Sequence, residues 1–372
     1  MNDNSEVTRG AGETPGVNDE TPGVKEAGSN SKKIVFALIP LVVLLVGAEL
    51  VLRIAHFQIV HRDSLAIVAA FKTAKRSMLL RQAQRSETAT LGELRHALFS
   101  PVGEELRNDL YQQYEQNFQN LVAEADNVGT KLVVLYVPQD NSSSDSESVE
   151  LRSFYKRLAE KYNTDFIDLT DKLFSYPKQT VYLLPINGHF SRFGNQLVAE
   201  ALNEYLNKQS NVRAKHSFTE RPPLFGDQAP GRDEIRYDHP DLPYHLITNQ
   251  QGLRGQSDVT FPKTKQRILI LGDSYTFAPY LPNADTYPVQ LERLNPEREI
   301  LNAGVAGYTI TDEVSLFQER AKYTEPDITV LQVLDNDVFG LFFKLKNQYD
   351  RKGQVYQPSP LEDEFLRAVE GK

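Results

Sequence analysis

The 372-residue chain contains no cysteine. That excludes a disulfide framework, a Cys-ligated zinc or iron–sulfur centre and a thiol nucleophile. An excess of positive charge is also missing. Lys and Arg total 41 against 50 Asp and Glu, a formal charge of −9, so a phosphate backbone would be repelled and nucleic acid is not an expected partner. Apolar residues are not in short supply. They make up 40%, and the 21 glycines bring the share into the ordinary range for folded proteins, which excludes wholesale disorder. The length allows about two domains, or one large one.

Large apolar side chains are scarce in residues 1–32, where TPGV at 14–17 recurs at 21–24 among Gly, Glu, Asp, Asn and Ser. Such a segment cannot offset the entropy of ordering, and a disordered tail is expected. The long hydrophobic run follows. Ile34 to Ala48 carries no charge, and after Glu49 the pattern continues to Leu52, close to the ~20 residues that cross a bilayer. A single transmembrane helix over 33–54 is the expectation, with a buried core helix as the alternative. No small-x-small cleavage site follows the run, which disfavours a signal peptide. Lys25, Lys32 and Lys33 on one side balance Arg53, Arg62 and Lys72 on the other, so charge bias sets no orientation.

Beyond the run, residues 61–128 are expected to be helical, with Leu106, Leu110, Tyr114, Phe118 and Leu121 forming an amphipathic stripe. KLVVLYVP (131–138) fits a buried strand, 149–162 a helix, DFIDL (165–169) a short strand and 195–207 another helix. Residues 209–236, with Pro222, Pro223 and Pro230 and no periodicity, are expected to be a linker. The pattern restarts with YHLITNQQGLRG (244–255). There follow a strand through Ile268–Leu271, a helix near 286–294, the strand EILNAGVAGY, a helix near 312–323 and the strand DITVLQVLDND. Strands alternating with helices predict a parallel α/β sheet.

Gly272-Asp273-Ser274 follows a buried strand and precedes a helix. A serine there lies at the carboxyl end of the strand, where open α/β sheets bind ligands, with helix N-terminal amides beside it. A polar turn that merely caps the next helix would look the same. Two further segments fall at strand ends: Asn302-Ala-Gly-Val-Ala-Gly307 and Asn336-Asp337. The Ser274 amide, Gly307 and Asn336 would together make an oxyanion hole, each donor worth on the order of 3 kcal/mol. Glycine-rich turns and Asn-Asp pairs are also routine turn chemistry.

In that order GDSYTF, NAGVAG and DND resemble blocks I, II and III of the SGNH (GDSL-like) hydrolases, and YHLITNQQGLRG is similar to the lead-in of membrane-anchored members. The resemblance implies a three-layer flavodoxin-like fold on a five-stranded parallel sheet. It makes Ser274 the nucleophile and Gly307 and Asn336 oxyanion donors, and it implies no metal or organic cofactor. The family's closing strands and histidine block normally follow block III. Here they match segments upstream: KLVVLYVP, DFIDL and NGHFSRFGNQLVAEAL, with His189 as general base. Residues 61–208 would supply the His half and 237–372 the Ser half of one circularly permuted domain. Tandem fragments of two domains and a rearranged gene are the alternatives.

Six other histidines are present, His56, His61, His96, His216, His239 and His245, but only His189 lies in Gly-His-Phe-x-x-x-Gly. His245, in the lead-in, is the second candidate. Where the family has an aspartate two or three residues before the histidine, this chain has Asn187 or Ile186. Asparagine for aspartate in a serine triad can cost about 10⁴ in turnover, although Cys-His-Asn sites show that an amide oxygen can orient the ring. The implied function is hydrolysis of acyl or acetyl esters of carbohydrate or lipid, from a single-pass membrane anchor and outside the cytoplasm. Polysaccharide O-acetyl transfer would use the same residues. A catalytically degenerate module binding glycan or protein at the same cleft is the reading from another class.

Overall fold

The computed structural model describes residues 93–140, 146–209, 212–214, 217–342 and 359–370, together with Leu44, Val46 and Gly47. The chain divides into two compact units, 1–71 and 72–372. The expected tail and membrane segment lie outside the described residues except for Leu44, Val46 and Gly47, which are helical. No helix among the described residues is long and apolar enough to cross a membrane.

The second unit is built on β1 (Lys131–Tyr136), β2 (Asp165–Asp168), β5 (Gln266–Leu271), β6 (Arg298–Asn302) and β7 (Ile328–Val333), with a separate hairpin of β3 (Asp233–Arg236) and β4 (Tyr244–Ile247). The five strands form one sheet in the order β2-β1-β7-β5-β6, every pair parallel. Counted from β5 onward and then through β1 and β2, that order is 2-1-3-4-5, the flavodoxin-like doubly wound arrangement. β7 bonds to β5 on one side and to β1 on the other, so the two halves of the chain share a single sheet.

Parallel strands buried on both faces need apolar side chains in both directions, which is why these segments show runs rather than alternation. Leu132, Val134, Leu269, Leu271, Leu331 and Val333 pack on one face under α1 (Glu104–Val128), α2 (Ser146–Lys161) and α5 (Ile310–Glu319). Val133, Leu135, Ile268, Ile270 and Val330 pack on the other under α3 (Arg192–Asn207) and α4 (Tyr287–Leu294). The result is three layers. The C-terminal helix α6 (Pro360–Glu370) contacts α1 and the 3₁₀ turn Pro101–Gly103 that precedes it.

Two expectations are corrected. The helix expected over 61–128 is broken within its described part, because Pro101 holds Ser100 extended (φ −84, ψ 170) between a helix at 93–98 and α1. The segment expected as a linker is laid onto the domain. Phe225 is buried and its amide donates to Gln251 O (2.8 Å), and residues 233–236 form β3, paired antiparallel with β4.

Asp327, fully buried at the start of β7, shows how tightly this segment is held. Its carboxylate accepts from the amides of Ala214 (2.7 Å) and Arg267 (2.8 Å) and from Lys263 Nζ (2.7 Å). Removing one partner of a buried pair leaves the other charge uncompensated. Asp327→Ala is expected to lower stability by about 3 kcal/mol or more, read from the urea midpoint at unchanged slope. A loss below about 1 kcal/mol would show that water replaces the carboxylate.

Candidate active site

The serine is presented by a turn that only glycine permits. A Cβ on Gly272 would lie 2.3 Å from Thr276 Oγ1 and 2.6 Å from Gln332 Oε1, too close for any side chain. Asp273 caps the helical turn Ser274–Phe277 by accepting from the Tyr275 amide (2.9 Å). Thr276 Oγ1 donates to Gln332 Oε1 on β7 (2.8 Å) and lies 2.8 Å from the Tyr287 hydroxyl on α4. The turn is therefore fastened to the sheet and to the helix layer, and Ser274 is left half-buried above the β5 end. This is the crevice between β5 and β7, where the connections leave in opposite directions.

The histidine comes from a closed loop after β2. Tyr182 and Phe190 form an antiparallel bridge, Leu183 N donates to His189 O (2.9 Å), and Ser191 N donates to Val181 O (2.8 Å). Tyr182 and Phe190 are buried in the core, and Ser191 caps α3 by accepting from the Gly194 amide (3.1 Å). Tyr275 then joins the loop to the serine turn. Its hydroxyl donates to Gly188 O (2.9 Å), and its ring lies 4.9 Å from those of His189 and Phe190.

The two halves meet in a relay. Ser274 Oγ is 2.8 Å from His189 Nε2, and His189 Nδ1 is 2.5 Å from Asn187 Oδ1. The His189 backbone amide also donates to Asn187 Oδ1 (2.9 Å). An amide N–H can only donate, so the Asn187 atom facing it must be the oxygen, and that fixes the ring tautomer: the proton sits on Nδ1 and Nε2 keeps its lone pair for the Ser274 hydroxyl. Asn187 thus stands at the acid position, while Ile186 is exposed. No carboxylate bonds to the His189 ring among the described residues. His245, on β4, faces Asp233 across the hairpin at 2.5 Å and takes no part in the relay.

Burial lowers the His189 imidazole from 6.5 to about 4, because desolvation disfavours the charged ring. The ring is therefore neutral, and competent as a base, at every pH above that value. Beside it, burial raises the Asp273 carboxyl to about 6, although the Tyr275 amide donates to it (2.9 Å). In an Asp273→Asn background, which keeps the cap and removes that titration, kcat/KM for ester cleavage is expected to fall on the acid side with an apparent pKa of about 4. An acid limb near 6.5 would show a solvated ring instead.

The groups expected as oxyanion donors are not tied together by hydrogen bonds. The Ser274 amide makes no hydrogen bond among the described residues. Gly304, not Gly307, packs on the serine turn: its Cβ would lie 2.5 Å from Phe277 N, and Val305 N donates to Gly272 O (3.0 Å). Gly307 occupies φ +81 inside a Val305–Tyr308 turn, as the third residue of a type II turn requires. Asn336 is half-buried between the buried Asp335 and Asp337, and its side-chain amide makes no hydrogen bond among the described residues. No hydrogen bond ties Gly307 or Asn336 to Ser274.

The sequence reading did not single out Tyr275, Arg254 or Tyr280. Arg254, from the GLRG stretch of the lead-in, is buried, and its guanidinium is pushed down to about 10 by desolvation. It bonds to Phe277 O, Ala278 O (2.8 Å), Leu281 O (2.6 Å) and Asn283 Oδ1 (3.1 Å). These anchor a loop in which Ala278 (φ +55) and Tyr280 (φ +72) are left-handed, an uncommon conformation for residues with a Cβ.

No protein-family model and no curated protein matches the chain. Solved structures do. The O-acetyltransferase domain of Pseudomonas putida AlgJ aligns at 15% identity over 74% of this chain and 95% of its own, with a TM-score of 0.41. Pseudomonas aeruginosa AlgX aligns at 14% over 59% and 56%, TM-score 0.36. Bacillus cereus PatB1, solved with a sulfonyl adduct, aligns at 10% over 62% and 88%, TM-score 0.37. Likenesses this distant carry no inference about activity.

Proposed function

We propose that the chain is a serine-dependent ester enzyme of the SGNH type, with Ser274 as nucleophile, His189 as general base and Asn187 as the group that orients it. One observation carries this reading: the unbroken relay from Ser274 Oγ through the His189 ring to Asn187 Oδ1, at 2.8 and 2.5 Å, made by residues 85 positions apart. The sheet order supports a single circularly permuted domain over tandem fragments, since β7 lies hydrogen-bonded between β5 and β1.

In the proposed reaction Ser274 Oγ adds to the ester carbonyl carbon while its proton passes to His189 Nε2. The carbonyl oxygen becomes the oxyanion, with the Ser274 amide, Gly307 and Asn336 as its proposed donors. The C–O bond to the alcohol then breaks, and His189 returns the proton to the leaving oxygen, giving an acyl-serine and free alcohol. Water, activated by the same ring, releases the acid. A sugar hydroxyl in place of that water would make the reaction O-acyl transfer. Substrates are proposed to be acyl or acetyl esters of carbohydrate or lipid, met at a membrane surface outside the cytoplasm through the 33–54 segment.

A fluorophosphonate probe tests the reading, because it labels only a serine that a base has activated. Stoichiometric adduct mapped to the peptide bearing Ser274, blocked in Ser274→Ala, is the expected result. Absence of label together with absence of ester cleavage would favour the degenerate binding module.

A further inference from the structure

Ser274 and His189 lie 85 positions apart, so the distance between them is only as fixed as the contacts that join the serine turn to the histidine loop. Around the histidine, most backbone bonds close within the loop: Asn187 N donates to Leu183 O (3.0 Å), Leu183 N to His189 O (2.9 Å) and His189 N to Asn187 Oδ1 (2.9 Å). Such bonds shape the loop without setting where it sits over the serine. Gly188 O is held from outside. It accepts from the Tyr275 hydroxyl (2.9 Å), across 87 positions, and Tyr275 is the residue that follows the nucleophile.

The Tyr275 ring meets the same loop. It lies within 31° of parallel to the His189 ring, with centroids 4.9 Å apart, and crosses Phe190 at 88° and 4.9 Å. Tyr280, by contrast, stands edge-on to the imidazole at 5.7 Å. The other end of Tyr275 is fixed as well, because its amide donates to Asp273 Oδ1 (2.9 Å) and the whole residue is buried. Burial raises the phenol well above its ordinary value, so the hydroxyl keeps its proton and donates.

We propose that Tyr275 is a positioning residue: its ring and hydroxyl clamp the histidine loop onto the serine turn and set the Ser274–His189 distance at which the proton passes. The inference rests on the Ser-His-Asn reading above and goes beyond it, since it assigns the geometry of the pair to a residue outside the relay.

Tyr275→Phe keeps both ring contacts and removes the bond to Gly188 O. A misplacement of about 1 Å can cost about 10² in rate, so kcat for ester cleavage is expected to fall about ten- to hundredfold with KM little changed, in protein shown by its urea midpoint to be folded. A second readout does not depend on turnover. In protein labelled with ¹⁵N-histidine at neutral pH, the His189 Nε2 resonance reports the hydrogen bond that its lone pair accepts from Ser274, and Ser274→Ala supplies the position without that bond. Tyr275→Phe is expected to move Nε2 at least halfway toward the Ser274→Ala position. A loss of kcat with Nε2 unmoved would reduce Tyr275 to a packing residue and overturn the proposal, as would a change in kcat of less than about threefold. Coincident Nε2 positions in wild type and Ser274→Ala would overturn both the clamp and the relay. If the wild-type protein neither cleaves ester nor takes the fluorophosphonate label while Nε2 moves as expected, the clamp stands and it is the ester-enzyme reading that fails.

Discussion

Replacing Asn187 by aspartate is expected to raise the rate of ester cleavage by up to about a hundredfold. The amide oxygen already selects the correct ring tautomer, so the part of the usual asparagine penalty that comes from the wrong tautomer is absent here. What the amide cannot do is stabilise the imidazolium that forms when Ser274 attacks. A carboxylate in the same place, about 2.5 Å from Nδ1, would lift the histidine from about 4 by about two units, towards its ordinary 6.5. Each unit is worth about 1.4 kcal/mol of differential stabilisation, so two units cap the gain near 10². The same variant should carry its acid limb upward from pH 4 by that amount. Steady-state kinetics on an activated acetyl ester across pH 3.5–9 would measure both. An unchanged or lower rate would mean that the group supporting the imidazolium is not at position 187.

The largest expected loss is at the serine and the histidine, and its form matters more than its size. In the Asn187→Asp background, where the starting rate is highest, Ser274→Ala and His189→Ala are each expected to lower kcat by about 10⁴-fold or more, and the double substitution by no more than either alone. The two groups share one proton across a 2.8 Å contact, so removing either ends the same step. Additive losses would show that they act separately, with Ser274 binding and His189 acting through water.

Much of this was legible in the chain. β1, β5 and β7 announced themselves as apolar runs because each is buried on both faces. The pairing of a Ser block with an upstream His block followed from motif order, and it implied the sheet order seen. β3 was not legible: DEIR leaves its side chains exposed or half-exposed, so no buried face imposes a pattern, and proline-rich neighbours disguised it as linker. Tyr280 escaped for a different reason. Its left-handed backbone lies in a loop held by Arg254 from upstream through the carbonyls of Phe277, Ala278 and Leu281, a group every residue possesses, so side-chain identity carries no trace of it. Gly307 was expected as an oxyanion donor from the resemblance; that Gly304 makes the close approach to the serine turn was not legible. Spacing could not tell a turn glycine from a contact glycine.

The place of β7 in the sheet sets the order in which the protein can assemble. β1 and its neighbour β7 pair across almost 200 residues, as in the Thr130–Thr329 contact, and β7 also closes the gap to β5. During synthesis β1 and β2 emerge early and must wait with one long apolar edge open until residue 333 has left the ribosome. Pairings this distant are slow to form because the chain entropy of closing the loop is lost before contacts compensate. An uncovered strand edge in that interval invites association with other chains. This order of strands along the chain thus exposes the nascent chain to aggregation, a burden invisible in the finished fold.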